Sequence, residues 1–187
     1  SSLLAHVLLE AHLDPSFAIG GIMLGLSTNS RLGKGEFFVA EADESDGSFL
    51  KTPAFGAIVT NLENDHLSFW KDPASLDQGF AKFFSQVRSI PHLFFCADDL
   101  RLAALHPPGR SYGFSSSASC RLQNFSQTEK GIAFDLLFEK HLYANIEVSL
   151  FGKHNALNAA AVFCLALSLP IEESLIRNAL RSFQGVH

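Results

Sequence analysis

The chain has 187 residues and is short of charge, of sulfur and of several catalytic signatures. Only 18% of its residues are charged, and its three cysteines, Cys96, Cys120 and Cys164, are widely spaced. The lack of any Cys-x-x-Cys pair argues against a zinc site or a disulfide framework, and fits a reducing compartment such as the cytoplasm. No apolar run reaches membrane-spanning length, and no secretory signal pattern occurs. A net charge of −5 gives no electrostatic pull toward nucleic acid or an anionic membrane. The chain has no Gly-x-Ser-x-Gly elbow, so nucleophilic hydrolase chemistry has no support. It also has no Gly-x-x-x-x-Gly-Lys-Ser/Thr phosphate loop, because Gly33-Lys34-Gly35 and Gly152-Lys153 do not satisfy that spacing. One tryptophan and two tyrosines stand against eighteen phenylalanines. No stacking motif organises those rings, so they read as core.

What is present is a globular composition, 47% hydrophobic, with enough length for one full-sized core. Leu3, Leu4, Val7, Leu8 and Ala11 share a helical face over residues 2–12, and Asp14-Pro15 breaks that helix. Phe17–Ile19 reads as a short strand closed by Gly20-Gly21, and residues 22–35 as a loop. Strands are expected at 36–42, 56–62 and 92–96. A short helix at 46–51 and an amphipathic helix from Pro73 to about Ser89 lie among them. Asp98-Asp99 opens another short helix. From Ser111 to Leu150 polar and apolar residues alternate, the period of an antiparallel sheet. An Ala-rich helix follows from Gly152 to about Ser168, and a last helix spans 171–183. The expected class is α/β: a mostly parallel sheet flanked by helices, with a small antiparallel β appendage at about 110–150. The chain opens within a helix without an initiator methionine, so it is expected to be a piece of something longer.

Two constellations carry chemistry. The runs Phe37–Ala40 and Ile58–Leu62 both end in carboxylates, at Glu41-Ala42-Asp43-Glu44-Ser45-Asp46 and at Glu63-Asn64-Asp65-His66. Open α/β sheets place ligands at the carboxyl ends of their strands. If these two strands lie side by side, Glu41 and His66 converge on one crevice. Oxygen ligands with one imidazole suit a divalent cation that holds phosphates. The competing account is an Asp-His that tethers its own loop beside a solvated acidic run. The second constellation is Gly152-Lys153-His154-Asn155-Ala156-Leu157-Asn158. A carboxamide donates and accepts at once, as the N6/N7 edge of adenine requires, and a histidine ring can stack beside it. Here the competing account is Asn155 as a simple helix cap.

In order along the chain, Gly20-Gly21, Arg31-Leu32-Gly33, Glu41–Asp46, Thr60-Asn61, Asp65-His66, Tyr112-Gly113-Phe114 and Gly152–Ala159 resemble the central domain of the muramyl ligases. That family builds the bacterial peptidoglycan precursor. The resemblance implies that residues 1–187 form a P-loop-like ATP-binding domain lacking its phosphate loop. That loop is expected just upstream of Ser1, and N- and C-terminal domains are expected to pack against this one. The implied reaction joins L-alanine to UDP-N-acetylmuramate with ATP and Mg²⁺ (or Mn²⁺), through an acyl phosphate. Glu41 would be a metal ligand bridging to ATP phosphates, and His66 would hold a second metal. Asn155 and Asn158 would read adenine, with His154 beside the ring. An arginine expected just after His187 is outside the chain, so the chain alone is expected to be inactive as a ligase. Three alternatives stay open: a recycling ligase that attaches a whole tripeptide, a non-catalytic nucleotide-binding domain, and a binuclear metal hydrolase.

Overall fold

The computed structural model describes residues 1–187, the side chain of Leu67 excepted. The chain divides into two compact units: residues 1–41 with 122–187, and residues 42–121.

In the first unit, α1 (Ser2–Glu10) buries Leu3, Ala5, Val7 and Leu8. β1 (Ser16–Met23) follows, the centre of a three-stranded sheet. β2 (Thr28–Arg31) pairs with it antiparallel and β3 (Phe38–Ala40) pairs with it parallel. Two expectations change here. β1 runs through Gly20-Gly21 instead of stopping there, because both glycines admit close neighbours. A Cβ on Gly20 would lie 2.9 Å from Glu41 Oε1, and one on Gly21 would lie 2.9 Å from the Val186 Cβ. Residues 185–187 in fact line up along β1, where Ile22 and His187 exchange two backbone hydrogen bonds of 3.0 Å. The stretch 22–35 is also more than a loop. β2 is polar and mostly exposed, so it lacks the apolar alternation that marks a strand with a buried face.

The rest of this unit holds β8 (Gly131–Phe138) and β9 (His141–Val148), an antiparallel pair, with α5 (Lys153–Ser168) and α6 (Glu173–Ser182). Ala156, Ala159, Ala160, Ala161 and Ala166 of α5 are fully buried. Their small side chains let α5 lie close against α1, α6 and β8. Both helices fall where periodicity predicted them.

The second unit is the parallel part. β4 (Ala57–Val59), β5 (Leu93–Cys96) and β6 (Arg110–Gly113) pair in parallel, and the first residues of β7 (Cys120–Thr128) continue the pattern against β6. The hydrogen-bonded order is β4-β5-β6-β7-β8-β9, with β7 carrying the chain from this unit into the other. Within the stretch expected to be antiparallel, β6 and the first residues of β7 pair in parallel, while β8 and β9 pair antiparallel as expected. α2 (Leu67–Trp70) and α3 (Pro73–Gln86) connect β4 to β5, and α4 (Leu100–Ala104) connects β5 to β6. Asp72 caps α3 by accepting from the Ser75 N–H at 2.8 Å, and Pro73 occupies its first turn. Much of the phenylalanine excess packs here. Phe49 meets Phe80 and Phe83 at 5.3 Å and Trp70 at 6.1 Å between ring centroids, each pair worth about 0.5–1.5 kcal/mol beyond its buried area. Four other phenylalanines, Phe38, Phe55, Phe69 and Phe151, are exposed.

The first unit holds a half-buried histidine that reports on pH. His6 of α1 places Nε2 2.9 Å from the Ser182 hydroxyl and tilts against Phe183 at 5.4 Å. Burial holds its pKa below the ordinary histidine value. A depressed folded-state pKa means stability is full above about pH 6.5 and declines as the pH falls toward that lower value. The depressed carboxylates, Asp14, Asp72 and Asp135 among them, act only below about pH 4. Between about pH 7.5 and pH 5, thermal melts are expected to fall less for His6→Asn than for the unsubstituted chain. Equal falls would contradict this.

Candidate metal and nucleotide site

Glu41 follows β3 directly. Its N–H bonds the Ala18 carbonyl at 2.9 Å, so the parallel β1–β3 register fixes its backbone. Two neighbours hold its carboxylate from the strand and the helix start. Oε2 accepts from the Gly20 N–H at 2.9 Å and from the Ser1 hydroxyl at 2.5 Å. Ser1 is the N-cap of α1, yet its hydroxyl makes no cap bond and turns to Glu41 instead. An anion beside a helix N-terminus is favoured by the helix dipole. The result is a carboxylate and a hydroxyl, both exposed hard oxygens, fixed together where a strand ends and a helix begins.

The second constellation belongs to the same unit. Gly152 is the N-cap of α5 at φ 89°, a conformation that favours glycine, and its N–H donates to Gln127 Oε1 at 2.9 Å. Asn155 does not cap the helix by accepting from its first turn. Its Nδ2 donates back to the Phe151 carbonyl at 2.8 Å, which leaves its carbonyl oxygen and its other N–H. His154 and Asn158 are exposed. Three polar side chains thus share the first turns of a helix whose other face is alanine.

His66 lies in the second unit. Here the structure corrects an expectation: β3 and β4 belong to different sheets, so Glu41 and His66 are not at the ends of paired neighbouring strands. Period-two patterning identifies strands, while sheet membership depends on long-range pairing that no local signal encodes. What does gather near His66 is the acidic run. The Asp43 carboxyl is held below the usual carboxylate range, first by the Ser45 hydroxyl and N–H and then by the charge of His66. Its Oδ1 accepts the Ser45 N–H at 2.6 Å. Asp46 is lowered likewise by Ser48, whose N–H lies 2.8 Å from Oδ1. Both stay ionised at neutral pH. His66 itself has φ 55°, its N–H donates to Asp65 Oδ1 at 2.7 Å, and its Nε2 stands 3.9 Å from Asp65 Oδ2.

Among the described residues no group of three or more His, Cys, Asp or Glu side chains is placed to hold a metal. A Mg²⁺ ion that holds phosphates takes one or two protein oxygens and fills its octahedron with phosphate and water. The donor set of Glu41 and Ser1 is of that kind. Sequence reasoning missed the Ser1–Glu41 bond and the function of Gly20. The Gly-Gly pair inside an apolar strand was the available signal, since glycine there marks close approach by another group.

Comparison with known proteins supplies the context. The Mur ligase middle domain family matches residues 24–166. The UDP-N-acetylmuramate–L-alanine ligase of Protochlamydia amoebophila is 48% identical over all of this chain, which spans 41% of that protein. The enzyme of the same name from Anaeromyxobacter dehalogenans is 39% identical, with the chain spanning 42% of it. Among solved structures, the UDP-N-acetylmuramate–alanine ligase of Thermotoga maritima superposes with a TM-score of 0.88 at 27% identity, over all of this chain and 42% of that one. A UDP-N-acetylmuramate:L-alanyl-γ-D-glutamyl-meso-diaminopimelate ligase from Neisseria shares the fold, with a TM-score of 0.84 at 24% identity over all of this chain and 62% of that one. The chain thus spans about two-fifths of the curated relatives it matches. It belongs to the Mur ligase middle domain family.

Proposed function

We propose that this domain binds ATP and a divalent cation for a ligase that joins L-alanine to UDP-N-acetylmuramate in the cytoplasm. The observation that carries the reading is the Glu41 carboxylate, fixed by Gly20 and Ser1 at the first turn of α1. The identity to relatives named as alanine ligases supports the choice of amino substrate over the tripeptide branch, for which the likeness is one of fold. Domains on either side of this one in the whole protein would supply the sugar-nucleotide site and the closing surface.

In this reading the muramoyl carboxylate oxygen attacks the γ-phosphorus of ATP, the bond to the bridging oxygen breaks, and ADP leaves. The L-alanine nitrogen then attacks the acyl carbon and loses a proton, and phosphate departs to leave the amide. Bound Mg²⁺ would neutralise charge on the transferring phosphoryl group. Glu41 would hold the cation, with the Ser1 hydroxyl fixing the carboxylate, and His66 would serve a second metal that supports the acyl-transfer step. Asn155 and Asn158 offer amide edges to adenine, with His154 at the ring. The chain without a phosphate loop lacks the amides and lysine that cradle a polyphosphate, so by itself it is inactive as a ligase.

Two outcomes test this. In the whole protein supplied with Mg²⁺-ATP and UDP-N-acetylmuramate, ADP release is expected to depend on L-alanine and to be lost in Glu41→Ala and His66→Ala. A preference for the tripeptide would move the protein to the recycling branch, and release independent of any amine would defeat the ligase reading. Gly20→Ala is the sharper probe, because the clash it introduces falls on the movable end of Glu41. It should melt close to the unsubstituted protein yet need about tenfold more Mg²⁺ for half-maximal rate. An unchanged Mg²⁺ requirement would separate Glu41 from the metal.

A further inference from the structure

His66 ends a segment that local side-chain bonds and neighbouring elements hold together. Residues 60–66, between β4 and α2, form no helix or strand, and the backbone of His66 lies in the left-handed region at φ 55°. A non-glycine residue stays there only when its surroundings enforce it. From downstream, the His66 carbonyl accepts from Phe69 and Trp70, and the Trp70 indole N–H donates to the Glu44 carbonyl at 2.8 Å. From upstream, the restraint comes from α4. Asp99 accepts the Leu62 N–H at 3.1 Å on one oxygen while capping Leu102 at 2.7 Å with the other.

Arg101 does more, because its donors reach both α3 and the loop before His66. Nη2 donates to the Pro73 carbonyl at 3.0 Å and to Asp77 Oδ1 at 2.7 Å, and Nε reaches the same Asp77 oxygen at 3.0 Å. Those bonds alone would make a strut between α4 and α3. The remaining bond, from Nη1 to Asn64 Oδ1, is one a strut does not need. It ties the loop, two residues before His66, to a guanidinium already fixed by a carboxylate. The planar fork makes that arrangement specific to arginine, since a lysine ammonium cannot span the same three acceptors.

We propose that Arg101 is a positioning residue that acts through Asn64 to present His66. The inference rests on the role of His66 proposed above. The experiment uses the whole protein and compares Asn64→Ala, Arg101→Lys and His66→Ala, alone and combined, by ADP release, Mg²⁺ requirement and thermal melting. Asn64→Ala leaves the Arg101–Asp77 pair intact. It is expected to melt near the unsubstituted protein while kcat falls about tenfold and the Mg²⁺ requirement rises. Arg101→Lys should shift both quantities the same way, and Asn64→Ala combined with Arg101→Lys should lower the rate no further than the larger single effect. If Arg101→Lys does not fold, Asn64→Ala carries the test. Unchanged kcat and Mg²⁺ requirement in Asn64→Ala, beside an inactive His66→Ala, would overturn this inference alone. An active His66→Ala would overturn the role of His66 and this inference with it.

Discussion

The account depends on one carboxylate held in place by a backbone N–H and a serine hydroxyl. Glu41 leaves β3 in parallel register with β1, and that register brings the Gly20 N–H to its oxygen. The α1 N-cap serine supplies the second bond by turning its hydroxyl away from its own helix. Both of these donors are neutral, so neither bond cancels the charge of the carboxylate. Gly20 makes the approach possible, since any side chain there would occupy the space of the carboxylate.

The second unit solves a different problem, which is holding an irregular loop still. Its sheet edge is short, with three residues in β4, and the chain leaves it toward His66 without secondary structure. Stability comes from what surrounds the loop. The aromatic cluster of Phe49, Trp70, Phe80 and Phe83 forms a buried floor, and the Trp70 indole donates to the acidic loop at Glu44 while the N–H groups of Phe69 and Trp70 donate to the His66 carbonyl. Gly79 is glycine because Trp70 lies over it, within 2.6 Å of where a Cβ would stand. The phenylalanine-rich composition thus works partly as the bed on which two polar loops are seated.

Much of this was legible in the sequence. α1, α3, α5 and α6 stand where apolar spacing, Pro73 and the alanine run placed them, because a helix is encoded locally. β2 was not legible, since Thr28–Arg31 is a polar edge with no buried face to leave a pattern. The parallel pairing of residues 110–113 was hidden for another reason: strand direction is a long-range property, and four residues carry no sign of it. The site divides in the same way. The carboxylates and asparagines stand out because polar residues end apolar runs. Their partners do not, because Ser1–Glu41, Asn64–Arg101 and Glu44–Trp70 are contacts across tens of residues. The expectation that β3 and β4 would pair followed from chain order and failed on sheet membership.

The most direct test of the central claim is binding rather than turnover. Mn²⁺ affinity of the whole protein would be measured by electron paramagnetic resonance with a non-hydrolysable ATP analogue, before and after Glu41→Gln. Glutamine keeps an acceptor for the Gly20 N–H and removes the charge. The account predicts that nucleotide-dependent Mn²⁺ binding weakens by about tenfold or more while the fold is retained. Equal affinity in the two proteins would contradict it.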